Sequence, residues 1–159
     1  MPLDASLGEL TVFAISLIGA GAVTGVLLAD VMVRWRVPPL AAGLIASLAV
    51  ALPAPVSTIV LPSYEVPLAT LLALALWLVQ RHAERPSPAT LVGLSATLTA
   101  MALTRSLFHP VWVVAVVGLV ALARPVGRRA LLVAFAVPVL LIGGWMAKNQ
   151  VLFGEPTLS

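Results

Sequence analysis

The chain has 159 residues, 61% of them hydrophobic and 9% charged, with a formal net charge of +3 and a mean hydropathy of +1.12. Soluble domains carry about a quarter charged residues, so this balance excludes a soluble globular domain and points to an integral membrane protein built from helices. There is no cysteine, which removes disulfide frameworks, thiolate metal sites and cysteine nucleophiles. The basic residues fall in small groups between apolar runs, not in one patch, which argues against nucleic acid as a partner.

A helix crosses the hydrocarbon layer with about 20 apolar residues, because every backbone polar group must be satisfied inside the segment. The opening "MPLDASLGEL" lacks a basic leader, and the apolar run behind it is too long for a signal-peptide core, so it reads as a retained helix. Six runs approach spanning length, near 10–33, 38–56, 62–80, 89–104, 110–123 and 130–147. Pro53 and Pro55 break the outer end of the second, and Pro138 sits inside the sixth. The expected fold is an all-α polytopic membrane protein with about six transmembrane helices in a single domain over residues 1–159.

The charges orient these runs. Arg34 and Arg36 follow the first, Arg81 and Arg85 the third, and Arg124, Arg128 and Arg129 the fifth. Positive residues mark the cytoplasmic face, so both termini are expected outside. Arg105 and Lys148 then fall outside with Asp4, Glu9, Glu65 and Glu155. This topology suits the plasma membrane of a bacterium, with membrane lipids as the immediate partners.

Several residues have two readings. Glu65, in "VLPSYEVP" beside Tyr64, is an acid at a helix start where the helix dipole favours it, or a carboxylate facing an external cavity. In "LTRSLFHPVW", Arg105 is a fork suited to phosphate and His109 a proton donor or acceptor; the plainer reading anchors the loop at the interface with Phe108 and Trp112. Lys148 and Asn149 follow the sixth run: Lys148 either snorkels beside Trp145 or joins Arg105 as a second cation for an anionic headgroup. Gly21 and Gly25 form a small-xxx-small pair suited to a helix–helix partner. Asp30 can pair with Arg34 one turn on. No phosphate-binding glycine loop, nucleophile elbow or metal-ligand cluster is visible.

Taken in order, "VRWRVPP", "SYEVP", "RHAERPSP", "LVGLSATLTAMALTRS" and "GGWMAKNQVLFGEPTLS" resemble the middle of GT-C superfamily membrane glycosyltransferases, the group of the protein mannosyltransferases and lipid A aminoarabinose transferases. The likeness covers most of the chain and rests on the order of the motifs more than on any one of them. It implies transfer of a sugar from a polyprenyl-phosphate donor to an acceptor on the outer face, with no metal and no other cofactor. It also implies that Arg105 and Lys148 hold the lipid phosphate, in a pocket with Glu65, Tyr64, His109 and Asn149. The family's catalytic aspartate lies in an external loop after a first membrane helix, whereas this chain opens at what corresponds to the second. The resemblance therefore implies a fragment or reduced homologue and assigns no catalytic residue here. The alternative is a small non-catalytic membrane protein acting as scaffold or assembly partner. A transporter fits less well, because ionisable residues are nearly absent from the spans.

Overall fold

The computed structural model describes residues 7–51, 65–104 and 109–154. Every regular element among them is an α-helix: α1 Leu7–Arg34, α2 Pro39–Ala51, α3 Glu65–Glu84, α4 Pro88–Thr104, α5 Pro110–Ala123 and α6 Arg128–Phe153. The chain divides into two compact units, Met1–Ala73 and Leu74–Ser159, with the division inside α3.

Three of these helices, α1, α3 and α6, are long and apolar enough to cross a membrane, which points to a membrane protein. At about 1.5 Å rise per residue, the 28 residues of α1 run about 42 Å and the 20 of α3 about 30 Å, against a hydrocarbon core of about 30 Å. The expected crossings through α2, α4 and α5 rest on shorter helices of 13, 17 and 14 residues. Pro53 and Pro55, and the expected start of the third helix near 62, lie outside the described residues.

Proline sets most of the boundaries. The residue before a proline is disfavoured in the helical region. So α3 stops at Glu84, with Arg85 preceding Pro86, and α5 stops at Ala123, with Arg124 extended (φ −140°, ψ 90°) before Pro125. Pro39, Pro88 and Pro110 open α2, α4 and α5, where a missing N–H removes no intrahelical bond. The end of α1 follows another route. Arg36 takes the left-handed conformation (φ 65°), the Arg36 N–H reaches Val33 O at 3.0 Å, and the Val37 N–H reaches Met32 O at 3.0 Å. This is the Schellman closure, with arginine where glycine is usual.

In the first unit α1 packs on α2. Gly21 is the close point of the contact: a Cβ there would lie 3.2 Å from Val50 Cγ1, tighter than usual, whereas one on Gly25 would lie 3.5 Å from Val50 Cγ2, an ordinary contact. The small pair seen in the sequence thus receives a valine of the same chain. Thr24 adds a polar tie. Its hydroxyl lies 2.8 Å from Ala20 O and 2.8 Å from Thr70 Oγ1 on the first part of α3.

In the second unit α4 packs on both α5 and α6, and α5 packs on α6. Leu91, Ala102, Val113, Val117 and Ala134 form one buried cluster, and Ala75, Leu78 and Leu94 another. The central α4 also buries Ser95, Thr97 and Thr99. Thr97 and Thr99 donate back to Gly93 O and Ser95 O, so they bring no unsatisfied hydroxyl into the apolar interior.

Ser95 has a different task. Pro138 lies inside α6 and has no N–H to give to the carbonyl four residues earlier, that of Ala134. The Ser95 hydroxyl donates to that carbonyl. A helix interrupted by proline is thereby repaired by a neighbouring helix, which is how such helices persist in lipid.

Candidate functional site

The six residues singled out in the sequence divide into three groups. Tyr64 and Arg105 lie outside the described residues. Glu65 belongs to the first unit, and His109, Lys148 and Asn149 belong to the second.

Glu65 is the first residue of α3 and is exposed. The N-terminus of a helix carries partial positive charge, and a carboxylate in its first turn is favoured by it. The plainer of its two readings therefore has a local cause.

His109 is the N-cap of α5. Its Nδ1 accepts from the Val111 N–H at 3.3 Å, and its carbonyl accepts from the Trp112 N–H at 2.8 Å. The residue is exposed. Trp112 projects from the same turn, 64% exposed, as expected of an interfacial aromatic.

Lys148 and Asn149 lie within α6, which continues to Phe153 and so passes the expected end at 147. The helix stops at Gly154, whose left-handed φ of 77° suits glycine and whose N–H bonds Gln150 O at 3.1 Å. Lys148 is exposed, with Nζ 3.8 Å from the centroid of the Trp145 ring one turn earlier. That cation–π contact holds the ammonium at the surface of the helix. Asn149, the next residue, is 3% exposed. One turn of α6 thus presents a fixed surface cation beside a buried amide.

One buried polar side chain of the second unit was not singled out in the sequence. His82, in the last turn of α3, is fully buried. Its Nε2 lies 3.0 Å from Arg124 O at the end of α5, and its Nδ1 2.8 Å from Thr90 Oγ1 in the first turn of α4. A carbonyl only accepts, so Nε2 donates to Arg124 O; the Thr90 hydroxyl lies between Nδ1 and the Ser87 carbonyl, 2.9 Å from the latter. Ser87 completes the network: its Oγ lies 3.0 Å from Thr90 Oγ1 and accepts the Thr90 N–H at 3.2 Å. The ends of three helices meet on one imidazole. In the sequence, His82 is a lone histidine among arginines with no ligand spacing, and nothing local signals Arg124 as its partner.

Asp30 and Arg34 form the expected ion pair, Nε to Oδ2 at 2.6 Å and Nη2 to Oδ1 at 3.2 Å. Among the described residues no group of three or more histidine, cysteine, aspartate or glutamate side chains could hold a metal ion.

Compared with models of known families, with curated proteins and with solved structures, the chain matches none.

Proposed function

We propose that this chain is a membrane-embedded part of a GT-C-like glycosyltransferase, working on a sugar carried by a polyprenyl phosphate at the outer face of the membrane. The observation that carries this reading is the turn of α6 holding Trp145, Lys148 and Asn149, where an exposed ammonium is positioned by an indole beside a buried amide. A cation fixed in this way suits the phosphate of a lipid carrier and the charge that develops on it as the sugar leaves. The order of the sequence motifs supplies Arg105 as the second cation and Glu65 as a group orienting the acceptor. In this reading the chain crosses the membrane six times with both termini outside.

The test is photo-crosslinking of the full chain in membranes with a polyprenyl-phosphate sugar bearing a photoreactive group. Labelling of the wild type that falls several-fold in Lys148→Ala and Arg105→Ala supports the proposal. Labelling that both variants retain in full contradicts it.

A second reading, a non-catalytic scaffold, is favoured by the groove of about 350 Å³ in the first unit, lined by Gly21, Gly25, Gly43, Ala46, Ser47 and Val50. Small residues of this kind let a further helix approach closely in lipid. Turnover of a lipid-linked sugar by the purified chain alone would exclude that reading.

A further inference from the structure

The second unit gathers positive charge at one end. Arg81 and Arg85 flank His82 at the end of α3, and Arg124, Arg128 and Arg129 occupy the turn from α5 into α6. These two turns are distant in sequence, and the bond from His82 Nε2 to Arg124 O spans 42 positions to join them. Ser87 and Thr90 brace the same imidazole from the start of α4. The arginines therefore stand on one preorganised surface, not on two independent loops.

Five arginines stand at this end against one acid. Arg85, Arg124, Arg128 and Arg129 are exposed. Arg81 lies over the Trp77 ring, 5.1 Å from its centroid, with its charge left over. The one acid in either turn is Glu84, whose Oε1 takes the Gln80 amide at 3.4 Å. Apolar helices continue from both turns, so the cluster sits where a span leaves the hydrocarbon, at the depth of lipid phosphates. Clustered basic residues next to spanning helices attract anionic lipid, and the arginine fork pairs with phosphate through two parallel hydrogen bonds.

We propose that this surface is a binding site for the phosphate headgroup of an acidic glycerophospholipid of the adjoining leaflet, with His82 as the residue that positions its two halves. The site is independent of the transferase reading, which concerns the other end of α6.

The experiment is lipid retention by the full chain in nanodiscs of phosphatidylcholine with and without phosphatidylglycerol, read by mass spectrometry of the co-purified lipid. The wild type is expected to enrich phosphatidylglycerol over the bulk mixture. Arg124→Gln/Arg128→Gln/Arg129→Gln should lower that enrichment by about ten-fold or more. His82→Ala leaves every arginine in place and should also lower it; Thr90→Val is the milder variant if His82→Ala does not fold. Equal retention of both lipids by the wild type, or enrichment that survives the triple substitution, would overturn the proposal. Enrichment untouched by both His82→Ala and Thr90→Val would overturn the single surface. Loss of enrichment in millimolar inorganic phosphate at constant ionic strength would reassign the site to free phosphate and overturn the lipid as its ligand.

Discussion

The two units are made from similarly oily sequence and are held together in different ways. The first relies on a small residue, Gly21, under Val50, and two threonines, Thr24 and Thr70, tie α1 to the first part of α3. The second relies on polar groups placed where lipid would leave them unsatisfied: Ser95 on the carbonyl freed by Pro138, and His82 between Thr90 and Arg124. Lipid tails are as apolar as leucine, so burying apolar surface gives little drive for helices to associate inside a bilayer. What remains is close packing and hydrogen bonding; the first unit joins a small-residue contact to one threonine pair, and the second places its hydrogen bonds on groups that a proline and the helix ends leave open.

The largest expected effect tests the polar unit. Ser95→Ala strands the Ala134 carbonyl and should cost about 1–3 kcal/mol, measured by denaturant unfolding in detergent. Pro138→Ala restores the N–H that the carbonyl lacks. In that background Ser95→Ala should cost clearly less, and the difference is the coupling that a double-mutant cycle isolates. If Ser95→Ala cost the same in both backgrounds, the repair of α6 by α4 would be refuted.

A somewhat smaller effect tests the packed unit. Gly21→Val forces a side chain into Val50 and should cost about 1–2 kcal/mol. Gly19→Val is the control, because nothing lies within 4 Å of a Cβ there. Equal costs at the two glycines would show that the α1–α2 contact does not depend on the small residue.

The smallest effect has the opposite sign. Arg36 holds a left-handed conformation that disfavours any residue with a Cβ by about 1–2 kcal/mol. Arg36→Gly should therefore raise the stability of the first unit by up to about 1 kcal/mol, visible as a higher unfolding midpoint. A loss of stability would mean that the arginine side chain contributes more than its backbone conformation costs.

The helices and their punctuation were legible in the sequence because their causes are local. Apolar runs and the prolines at 39, 86, 88, 110 and 125 place the helix ends within a few residues. The Asp30–Arg34 pair was legible for the same reason, since one helical turn separates the two residues. The end of α6 was harder to read: "KNQVLF" loses its apolar run, yet the helix continues until Gly154. The long-range ties could not be read. A proline inside α6 implies a donor for Ala134 O, but Ser95, Thr97 and Thr99 offer equally plausible hydroxyls, and only the approach of α4 to α6 selects Ser95. The link from His82 to Arg124 runs through a backbone carbonyl, which no side-chain pattern records.

The proposed function puts the arginine turns of the second unit on one side of the membrane and the segments around Glu65 and Arg105 on the other. The native chain has no cysteine, so single cysteines report without background. Labelling intact cells with a membrane-impermeant maleimide should modify Ser63→Cys and Ser106→Cys and leave Ser87→Cys unmodified until the membrane is opened. Modification of Ser87→Cys in intact cells, with protection of the other two, would contradict it.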